Sequence, residues 1–525
     1  MRSRHTCVWI AGVVTLSGCL SARGNVVRSA PPVAIGSRDS VTAAADSAET
    51  IRRRQDSLSR APSKASLPTA TPLEHLADSL MAAPEFDGAL WGMLIVDATT
   101  GDTLLNHNAR SLVLPASNMK LITASVALTR LGASYTFRTV VAARGRVRRG
   151  RLNGDLLVIG RGDPSVSDHM QVDAMKPLLA MADSLVAHGV KSITGRVLPA
   201  GNAFPGPTLG YAWSWDDFEA DYGAPTDELL FNEGFSTLDV HAGRRVRAPV
   251  RVATKPATTW PRFVVEARTR SPNDTGPRLE AIKDSVHGGV RVTGTLALGD
   301  SVRLIVTDRD PDAAYVAAFT EALARRGIAV RGGRADSTAA VDTLFTMHSP
   351  PLSDVLAAML LPSQNQIAEM VFKTNGLEGT GVGSSDSASA VEGRQLAAWG
   401  ILPTEAVIHD GSGLSRQDFL TPHTLVRVLD VMRQSPEFNT LWDALPVAGH
   451  SGTLDTRMRG TPADGNAHAK TGSMTAVRSL SGYVVAPNHH MIEFSIIANN
   501  FVTHSSSVAR VQDAIVSYLA GAPAP

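Results

Sequence analysis

The apolar positions of the chain first become periodic near residue 73. Leu73, Leu76 and Leu80 recur at the spacing of one face of an α-helix. The continuous apolar run 89–97 then predicts a buried strand, and 103–105, after a Thr-Thr-Gly turn, predicts its antiparallel partner. Ordered structure is therefore predicted to begin with a helix followed by a β-hairpin.

Two further changes of pattern divide the rest of the chain. Between 138 and 348 short strand-like segments are separated by Gly, Pro and Asp turns, and one long helical pattern covers 313–326. Helical patterns dominate again from 349 to 477, and two strand-like runs then precede a final helix at 507–519. The pattern predicts a β-rich middle region between two segments of mixed character.

The first 18 residues have the pattern of a secretion signal. Basic residues precede an apolar run, 7–16, that is too short to span a bilayer. The run ends in Leu-Ser-Gly-Cys19, which resembles the lipobox of bacterial lipoproteins and implies acylation of Cys19. The alternative is a plain secretory signal with an incidental cysteine. Residues 19–72, rich in Ala, Ser, Pro, Thr and Arg, predict a disordered linker. We expect an exported protein of the cell envelope (periplasm), lipid-anchored to a membrane.

Composition restricts the classes of partner and cofactor. The 525 residues carry a formal net charge of +1, and 43% are hydrophobic, so two to four domains are expected and nothing favours nucleic acid as a partner. Cys7 and Cys19 are the only cysteines, and loss of Cys7 with the signal would leave no disulfide in the mature chain. No His, Cys and Asp spacing suggests a metal site, and no cofactor is expected.

The first candidate for catalysis is a Ser-x-x-Lys pattern formed by Ser117 and Lys120. It follows Pro115 in a predicted helix, 117–131, and residues three apart on a helix share a face, so the lysine amine can reach the serine hydroxyl. A serine becomes an effective nucleophile when a base takes its proton. A lysine serves as that base when burial or another cation lowers its pKa. On its own the pattern is also typical of a solvated helix face.

Two further motifs follow along the chain. Ser363 and Asn365 form a Ser-x-Asn pattern before an apolar helical run, whereas the same pattern at 271–273 has no such helix and is interpreted as a turn. Lys470-Thr471-Gly472 leads towards a strand-like run, as an edge strand facing a substrate would. The similar stretch 373–375 is interpreted as a helix end.

The three motifs together favour one chemistry. Their order is typical of β-lactamases and penicillin-binding proteins, and two of the eight lysines in the chain fall inside them. Segments 154–157, 160–164, 410–416 and 445–449 further resemble the D-alanyl-D-alanine carboxypeptidases/endopeptidases of the penicillin-binding protein 4 type, class C of low molecular mass. The resemblance extends over about 73–519, nearly the whole predicted mature chain.

The resemblance implies a fold and a domain order. The fold would be α/β (α+β), with a β-lactamase/penicillin-binding-protein-like catalytic domain whose antiparallel sheet is flanked by helices. The 246 residues that separate the serines of the first two motifs would hold two nested β-rich domains. The implied segments are 73–137 with 349–520 for the catalytic domain, 138–159 with 236–348 for inserted domain II, and 160–235 for inserted domain III.

The resemblance also implies roles for the motif residues. Ser117 would attack the carbonyl of the penultimate D-Ala, and Lys120 would accept its proton. Ser363 would pass that proton to the departing amine, and Asn365 would hold the substrate amide and orient Lys120. Lys470 would keep the site positive, which lowers the pKa of Lys120 and attracts the terminal carboxylate.

The Lys-Thr-Gly strand is implied to bind the substrate. Thr471 would bind the terminal carboxylate, with Gly472 and Ser473 beside it. The backbone N–H groups of Ser117 and Ser473 would form an oxyanion hole, a contribution of typically about 3 kcal/mol per donor.

Three residues match a pocket for the side chain of the diamino acid in the peptide. These are Arg416, Asp217 and Met474, and the alternative for Arg416 is a turn-capping role. The chain departs from the family pattern at 199–202, where an Asp-x-Ser stretch is replaced, and at Thr475, where some members carry Gln. Both departures leave the specificity for the side chain open.

The expected partners follow from this chemistry. They are peptidoglycan stem peptides as substrates, β-lactam antibiotics as covalent inhibitors, and a membrane through the lipid anchor, with the oligomeric state left open. Three other interpretations compete. A β-lactamase or esterase would share the first motif without the long insertion, a transpeptidase would differ only in the acceptor, and a non-catalytic wall-binding lipoprotein would need none of the motifs intact.

Overall fold

The structure of the protein is a computed structural model that describes residues 71–284, 289–334 and 336–521. The predicted signal peptide, Cys19 and nearly all of the predicted linker lie outside the described residues. Within the described ranges, every helix is either too short or too polar to cross a membrane.

The described strands are numbered in chain order. They are β1 (Leu90–Asp97), β2 (Thr103–His107), β3 (Thr136–Arg148), β4 (Arg151–Ile159), β5 (Ser192–Ile193), β6 (Val197–Ala200), β7 (Phe235–His241), β8 (Arg251–Lys255), β9 (Phe263–Val265), β10 (Arg268–Arg270), β11 (Glu280–Lys283), β12 (Val290–Thr293), β13 (Thr295–Ala297), β14 (Ser301–Thr307), β15 (Ala329–Val330), β16 (Val341–Pro351), β17 (Ala406–Val407), β18 (Phe419–Leu420), β19 (His468–Met474), β20 (Val477–Val485) and β21 (Met491–Asn499).

The described α-helices are numbered in the same way. They are α1 (Pro72–Met81), α2 (Met119–Leu131), α3 (Asp168–Gln171), α4 (Met175–Ala187), α5 (Pro311–Arg325), α6 (Leu352–Leu360), α7 (Asn365–Thr380), α8 (Ser385–Ala398), α9 (Pro422–Arg433), α10 (Phe438–Ala444) and α11 (Ser505–Leu519).

A five-stranded antiparallel sheet, ordered β19-β20-β21-β1-β2, is built from the two segments that were predicted to form the catalytic domain. Successive residues of a strand point to opposite faces, so each strand contributes side chains to two cores. Ile496 packs with Leu73 of α1 and Ile515 of α11 on one face, whereas Ile497 packs with Ile122 of α2 and residues of α6 to α10 on the other. The predicted α/β fold, an antiparallel sheet flanked by helices, is confirmed.

The insertion between α2 and α6 contains several smaller sheets. A six-stranded sheet, ordered β15-β5-β4-β3-β16 with β6 paired to β4, packs against α4 and α5 around its own apolar core. A three-stranded sheet, β14-β7-β8, and the short sheets β11-β12-β9 and β10-β13 share a second core that includes Leu238, Val240 and Val306. The β-rich character predicted for this region is therefore present.

The boundaries predicted between the two inserted domains stay a prediction, and the strand pairing groups the residues differently. β5 and β6, from the predicted domain III, hydrogen-bond to β4 of the predicted domain II. Residues 235–307 instead form the separate small sheets. The pairing of Leu152 with Ile193 joins residues about forty positions apart, which local periodicity does not reveal.

Phe494, in the central strand β21, is expected to be one of the largest contributors to the core. It is fully buried among α1, α11 and the sheet, and replacing a buried Phe by Ala typically costs about 3–5 kcal/mol. Phe494→Ala should lower the free energy of unfolding by that amount in urea denaturation followed by tryptophan fluorescence. Val502→Ala, at a side chain that is 94% exposed, should change it by less than about 0.5 kcal/mol. A similar cost for both variants would contradict the assigned core.

Candidate active site

Ser117 lies in a one-turn 3-10 helix, Ala116–Asn118, that leads into α2. Ser479 of β20 donates a hydrogen bond to the carbonyl of Pro115 at 2.6 Å, which ties this turn to the central sheet. Ala116 has a φ of +46°, a conformation that non-glycine residues rarely adopt. The residue before the serine is therefore held in a strained conformation, as is common at functional sites.

Lys120 occupies the first turn of α2 with its side chain completely buried. Its Nζ donates to Ser117 Oγ at 2.9 Å, to Asn365 Oδ1 at 2.7 Å and to the carbonyl of Ser412 at 2.8 Å. Burial lowers the pKa of Lys120 to about 7, against the opposing charges of Asp410 and Glu369. At neutral pH a substantial fraction of the amine is uncharged; in that state two N–H groups remain for Asn365 and Ser412, and the lone pair can accept the proton of Ser117.

Lys470, on the edge strand β19, is also fully buried. Its Nζ donates to the carbonyl of Thr471 at 2.8 Å. Burial, and then the charge of Lys120, hold the pKa of Lys470 well below its usual range. A charge on Lys120 therefore opposes protonation of Lys470.

Gly472 brings the edge of β19 against the turn that carries the serine. A Cβ atom at this position would lie 2.1 Å from Ser479 Oγ and 3.0 Å from the backbone nitrogen of Ser117. Among the strands of the sheet β19 pairs with β20 alone, and the start of its other edge is bridged to the preceding loop, where His468 pairs with Val447. Thr471, which precedes Gly472 in the strand, donates from Oγ1 to Thr453 Oγ1 at 2.7 Å.

A cavity of about 440 Å³ joins these elements, within the range of ordinary ligand sites. Its lining includes all the predicted catalytic and substrate-binding residues except the two lysines and Gly472, which are buried beside it. The predicted residues in the lining are Ser117, Ser363, Asn365, Thr471, Ser473, Arg416, Asp217 and Met474, and the others are Tyr222, Gly413, Leu414, Thr453, Arg457, Thr475 and Arg478.

Ser363 and Asn365 enter this cavity from the start of α7. Ser363 has a φ of +68°, and the described residues provide no hydrogen-bond partner for its hydroxyl. Asn365 is almost fully buried and connects two parts of the site: its Oδ1 accepts from Lys120 and its Nδ2 donates to the carbonyl of Tyr222 at 2.9 Å. Asn365 of the Ser-x-Asn motif thus links Lys120 to the inserted segment.

The three residues predicted for side-chain specificity lie on one part of the cavity wall. Asp217 Oδ1 accepts a hydrogen bond from the Tyr222 hydroxyl at 3.1 Å, and Arg416 donates to the carbonyl of Thr475 at 3.4 Å. Met474 ends β19 beside them. A carboxylate and a guanidinium therefore face the same space.

Sequence reasoning missed the buried acids beneath Lys120. Asp410, fully buried, accepts from the backbone nitrogens of Gly413 at 2.6 Å and Ser415 at 2.7 Å, and from Trp213 Nε1 at 2.8 Å. These bonds shape the loop that presents the Ser412 carbonyl to the lysine. Asp410 lies in segment 410–416, which resembles the penicillin-binding protein 4 type family. The sequence could therefore have identified this residue.

Glu369 supports the same loop from α7. It accepts from the backbone nitrogens of Ser412 at 2.9 Å and Gly411 at 3.1 Å. Burial, and then the charge of Asp410, raise the pKa of Glu369 to about 8. Its position four residues after Asn365, on the same helix face, was the signal that could have identified it.

The fold and this arrangement of motifs define the class of serine enzymes that contains the β-lactamases and penicillin-binding proteins. Within that class, the chain belongs to the D-Ala-D-Ala carboxypeptidase 3 (S13) family, whose model matches residues 73–521. The resemblance inferred from the sequence is confirmed.

Individual relatives agree with this assignment. The chain is 34% identical over 471 residues to a D-alanyl-D-alanine carboxypeptidase of Actinomadura sp. (strain R39), covering 86% of this chain and 85% of the relative. It is 25% identical to the D-alanyl-D-alanine carboxypeptidase DacB of Haemophilus influenzae, covering 83% and 90%. The crystal structure of penicillin-binding protein 4 (dacB) from Haemophilus influenzae has the same fold, with a TM-score of 0.72, 22% identity and coverage of 85% and 99%. The chain is therefore a serine-type D-Ala-D-Ala carboxypeptidase, a hydrolase.

Gly472→Ala is expected to reduce the release of D-Ala from an acylated D-Ala-D-Ala peptide by at least about a hundredfold. The added methyl group would overlap Ser479 and push β19 away from Ser117, and small displacements of a site can cost about that factor. The measurement is kcat/KM together with the melting temperature. Gly393→Ala, in α8 with open space around the new methyl group, is the matched control. Wild-type kcat/KM in Gly472→Ala would rule out the close approach of the strand.

Proposed function

We propose that the protein removes the terminal D-Ala from peptidoglycan stem peptides through an acyl-enzyme on Ser117. The observation that carries this proposal is the 2.9 Å hydrogen bond between Lys120 Nζ and Ser117 Oγ, made by a lysine that no solvent reaches. A buried amine with a pKa of about 7 is suited to act as a general base near neutral pH.

In the acylation step, Ser117 Oγ attacks the carbonyl carbon of the penultimate D-Ala as its proton passes to the neutral amine of Lys120. The N–H groups of Ser117 and Ser473 stabilise the negative charge that develops on the carbonyl oxygen. The C–N bond then breaks, and the departing D-Ala amine receives a proton through Ser363. Water attacks the ester in the second step, which releases the shortened peptide and restores the serine.

Lys470 and Thr471 recognise the end of the substrate. Thr471 lies on the cavity wall, and on substrate binding its hydroxyl would turn away from Thr453 to donate to the terminal carboxylate of the peptide. Lys470 lies buried behind the strand with a lowered pKa, and an anionic substrate end beside it would favour its protonation.

Asp217, Arg416 and Met474 bind the side chain of the diamino acid. One carboxylate and one guanidinium on the same wall complement an amine and a carboxylate on that side chain. The same acyl-enzyme would serve D,D-endopeptidase cleavage of cross-links, because only the leaving amine differs. A β-lactam would acylate Ser117 in place of the peptide; the Haemophilus influenzae penicillin-binding protein 4 has been solved with a β-lactam.

We further propose that the enzyme works outside the cytoplasm on a lipid anchor. This part rests on the signal pattern and on Cys19, both outside the described residues. The linker 19–72 would let the catalytic part reach a polymer at some distance from the membrane.

Ser117→Ala is expected to abolish covalent labelling by a fluorescent penicillin, because no hydroxyl remains to form the acyl-enzyme. Labelling is measured on a denaturing gel after incubation of the folded protein. Ser271→Ala, which alters the Ser-x-Asn pattern of the 271–273 turn, should label like the wild type. Undiminished labelling of Ser117→Ala would remove this serine as the nucleophile.

The rate of penicillin acylation is expected to rise with pH through about 7. The pKa of Lys120 is lowered to about 7, so the amine is protonated and inactive as a base below that pH and neutral above it. Stopped labelling reactions between pH 5.5 and 8.5 give the profile. Lys120→Arg, whose guanidinium stays protonated, should acylate poorly throughout, and the exposed Lys191→Arg should retain the wild-type profile. A flat wild-type profile across this range would argue against Lys120 as the base.

A further inference from the structure

The wall of the catalytic cavity includes an arginine that has no part in the acylation chemistry of Ser117. Arg478 of β20 lines the cavity together with Ser117 and Thr471. It is half-buried, and the arginine side chain stays protonated at any physiological pH. A permanent positive charge therefore borders the space in which the substrate is bound.

A tight turn fixes the position of this arginine. Residues 475–476 join β19 to β20, and Ser473 of β19 is the register partner of Arg478. Residues directly opposite each other in an antiparallel pair share a face of the sheet, with Cβ atoms about 5 Å apart. The side chain of Thr471, two residues before Ser473, lies on the same face. Arg478 is therefore a close neighbour of both hydroxyl residues of this strand.

The other charged side chains of the cavity wall have partners or an assigned role. Arg457 donates from Nε and Nη2 to Asp513 Oδ1 at 2.9 Å and 2.7 Å. Asp217 and Arg416 lie on the part of the wall proposed to bind the side chain of the diamino acid. These three lining residues and Arg478 are the charged members of the wall, which leaves Arg478 as the charge without an assignment.

Arg478 makes one weak hydrogen bond of its own. Its Nε donates to the carbonyl of Ser505, at the start of α11, at 3.5 Å, which is longer than an ordinary N–H···O bond. Among the residues that the structure describes, its two Nη groups have no hydrogen-bond partner and no carboxylate forms an ion pair with it. The N–H donors of both Nη groups are therefore available to a ligand.

The electrostatic surroundings of Arg478 favour an anionic ligand. Burial, and then the charge of Arg457, lower the pKa of Arg478 below its ordinary value, against the attraction of Asp513. Because Asp513 is hydrogen-bonded to Arg457, its charge is shared between two guanidiniums. An anion bound beside Arg478 would offset the remaining positive charge.

Lys470 lies too deep to make the same contact. Its side chain is fully buried, and its Nζ donates to the carbonyl of Thr471. The hydroxyl of Thr471 reaches the cavity but is a neutral donor. A hydrogen bond from a charged donor to a carboxylate is roughly twice as strong as one between neutral groups, and Arg478 is placed to provide it.

We propose that Arg478 binds the terminal carboxylate of the D-Ala-D-Ala peptide together with Thr471, and so selects substrates that end in a free carboxylate. The proposal rests on the proposed function, since it assumes that Ser117 attacks the penultimate D-Ala. The carboxylate then stands one residue beyond the attacked carbonyl, a span of about 3.5 Å. Because the N–H of Ser473 faces that carbonyl, its cross-strand partner Arg478 lies on the side of the cavity that the carboxylate enters.

The test compares two peptides by the kcat/KM for release of the last residue. They are diacetyl-L-Lys-D-Ala-D-Ala, which ends in a carboxylate, and the same peptide with a C-terminal amide. Arg478→Gln is expected to lower kcat/KM for the acid by about tenfold, the scale of one charge-assisted hydrogen bond, and to change it for the amide by less than about twofold. Arg478→Lys, which keeps the charge without the planar fork, should retain part of the preference for the acid.

A second arginine and the melting temperatures provide the controls. Arg510→Gln, at a side chain that is 69% exposed and outside the cavity lining, should behave like the wild type with both peptides. In Arg478 variants with a wild-type melting temperature, an equal loss for acid and amide, or an unchanged kcat/KM for the acid, would overturn the role of this residue. Failure of the wild type to release D-Ala from the acid would instead overturn the proposed function.

Discussion

The site depends on an amine that is buried without being neutralised by a carboxylate in contact with it. Removing an ammonium from water costs several kcal/mol, and Lys120 offsets part of that cost with three hydrogen bonds, to Ser117, Asn365 and the carbonyl of Ser412. Each acceptor lies on a different segment of the chain. The amine can therefore be buried, and its pKa lowered by that burial, only if all three segments meet in one arrangement.

The insertion takes part in this arrangement. Trp213 donates to Asp410, which shapes the loop that carries the Ser412 carbonyl, and the carbonyl of Tyr222 accepts from Asn365. Deleting the inserted segment would remove one hydrogen-bond partner from the buried carboxylate of Asp410 and one from the amide of Asn365, at a cost of about 1–3 kcal/mol for each group. The inserted residues therefore hydrogen-bond to groups that hold Lys120 in place, and they also extend the surface around the active site.

The buried acids explain how the loop at 411–415 stays in place beneath Lys120. Asp410 and Glu369 accept hydrogen bonds from the backbone N–H groups of this loop from two sides. Burial, and then the charge of Asp410, raise the pKa of Glu369 to about 8, so this group carries little negative charge near neutral pH. The support is mainly hydrogen bonding, and it leaves the pKa of Lys120 low enough for the amine to act as a base.

Local sequence patterns determined the motifs and most of the elements around them. Ser117 and Lys120 are three residues apart on one helical turn, and the apolar runs of β1 and β21 and the periodicity of α11 follow from spacing alone, since these relations involve near neighbours in the chain. Only the tertiary structure decided that Lys120 is buried against Asn365, 245 positions away, and that β5 and β6 join the sheet of β4. Contacts between residues so far apart arise from packing of the whole chain, and no local periodicity records which distant segments will meet.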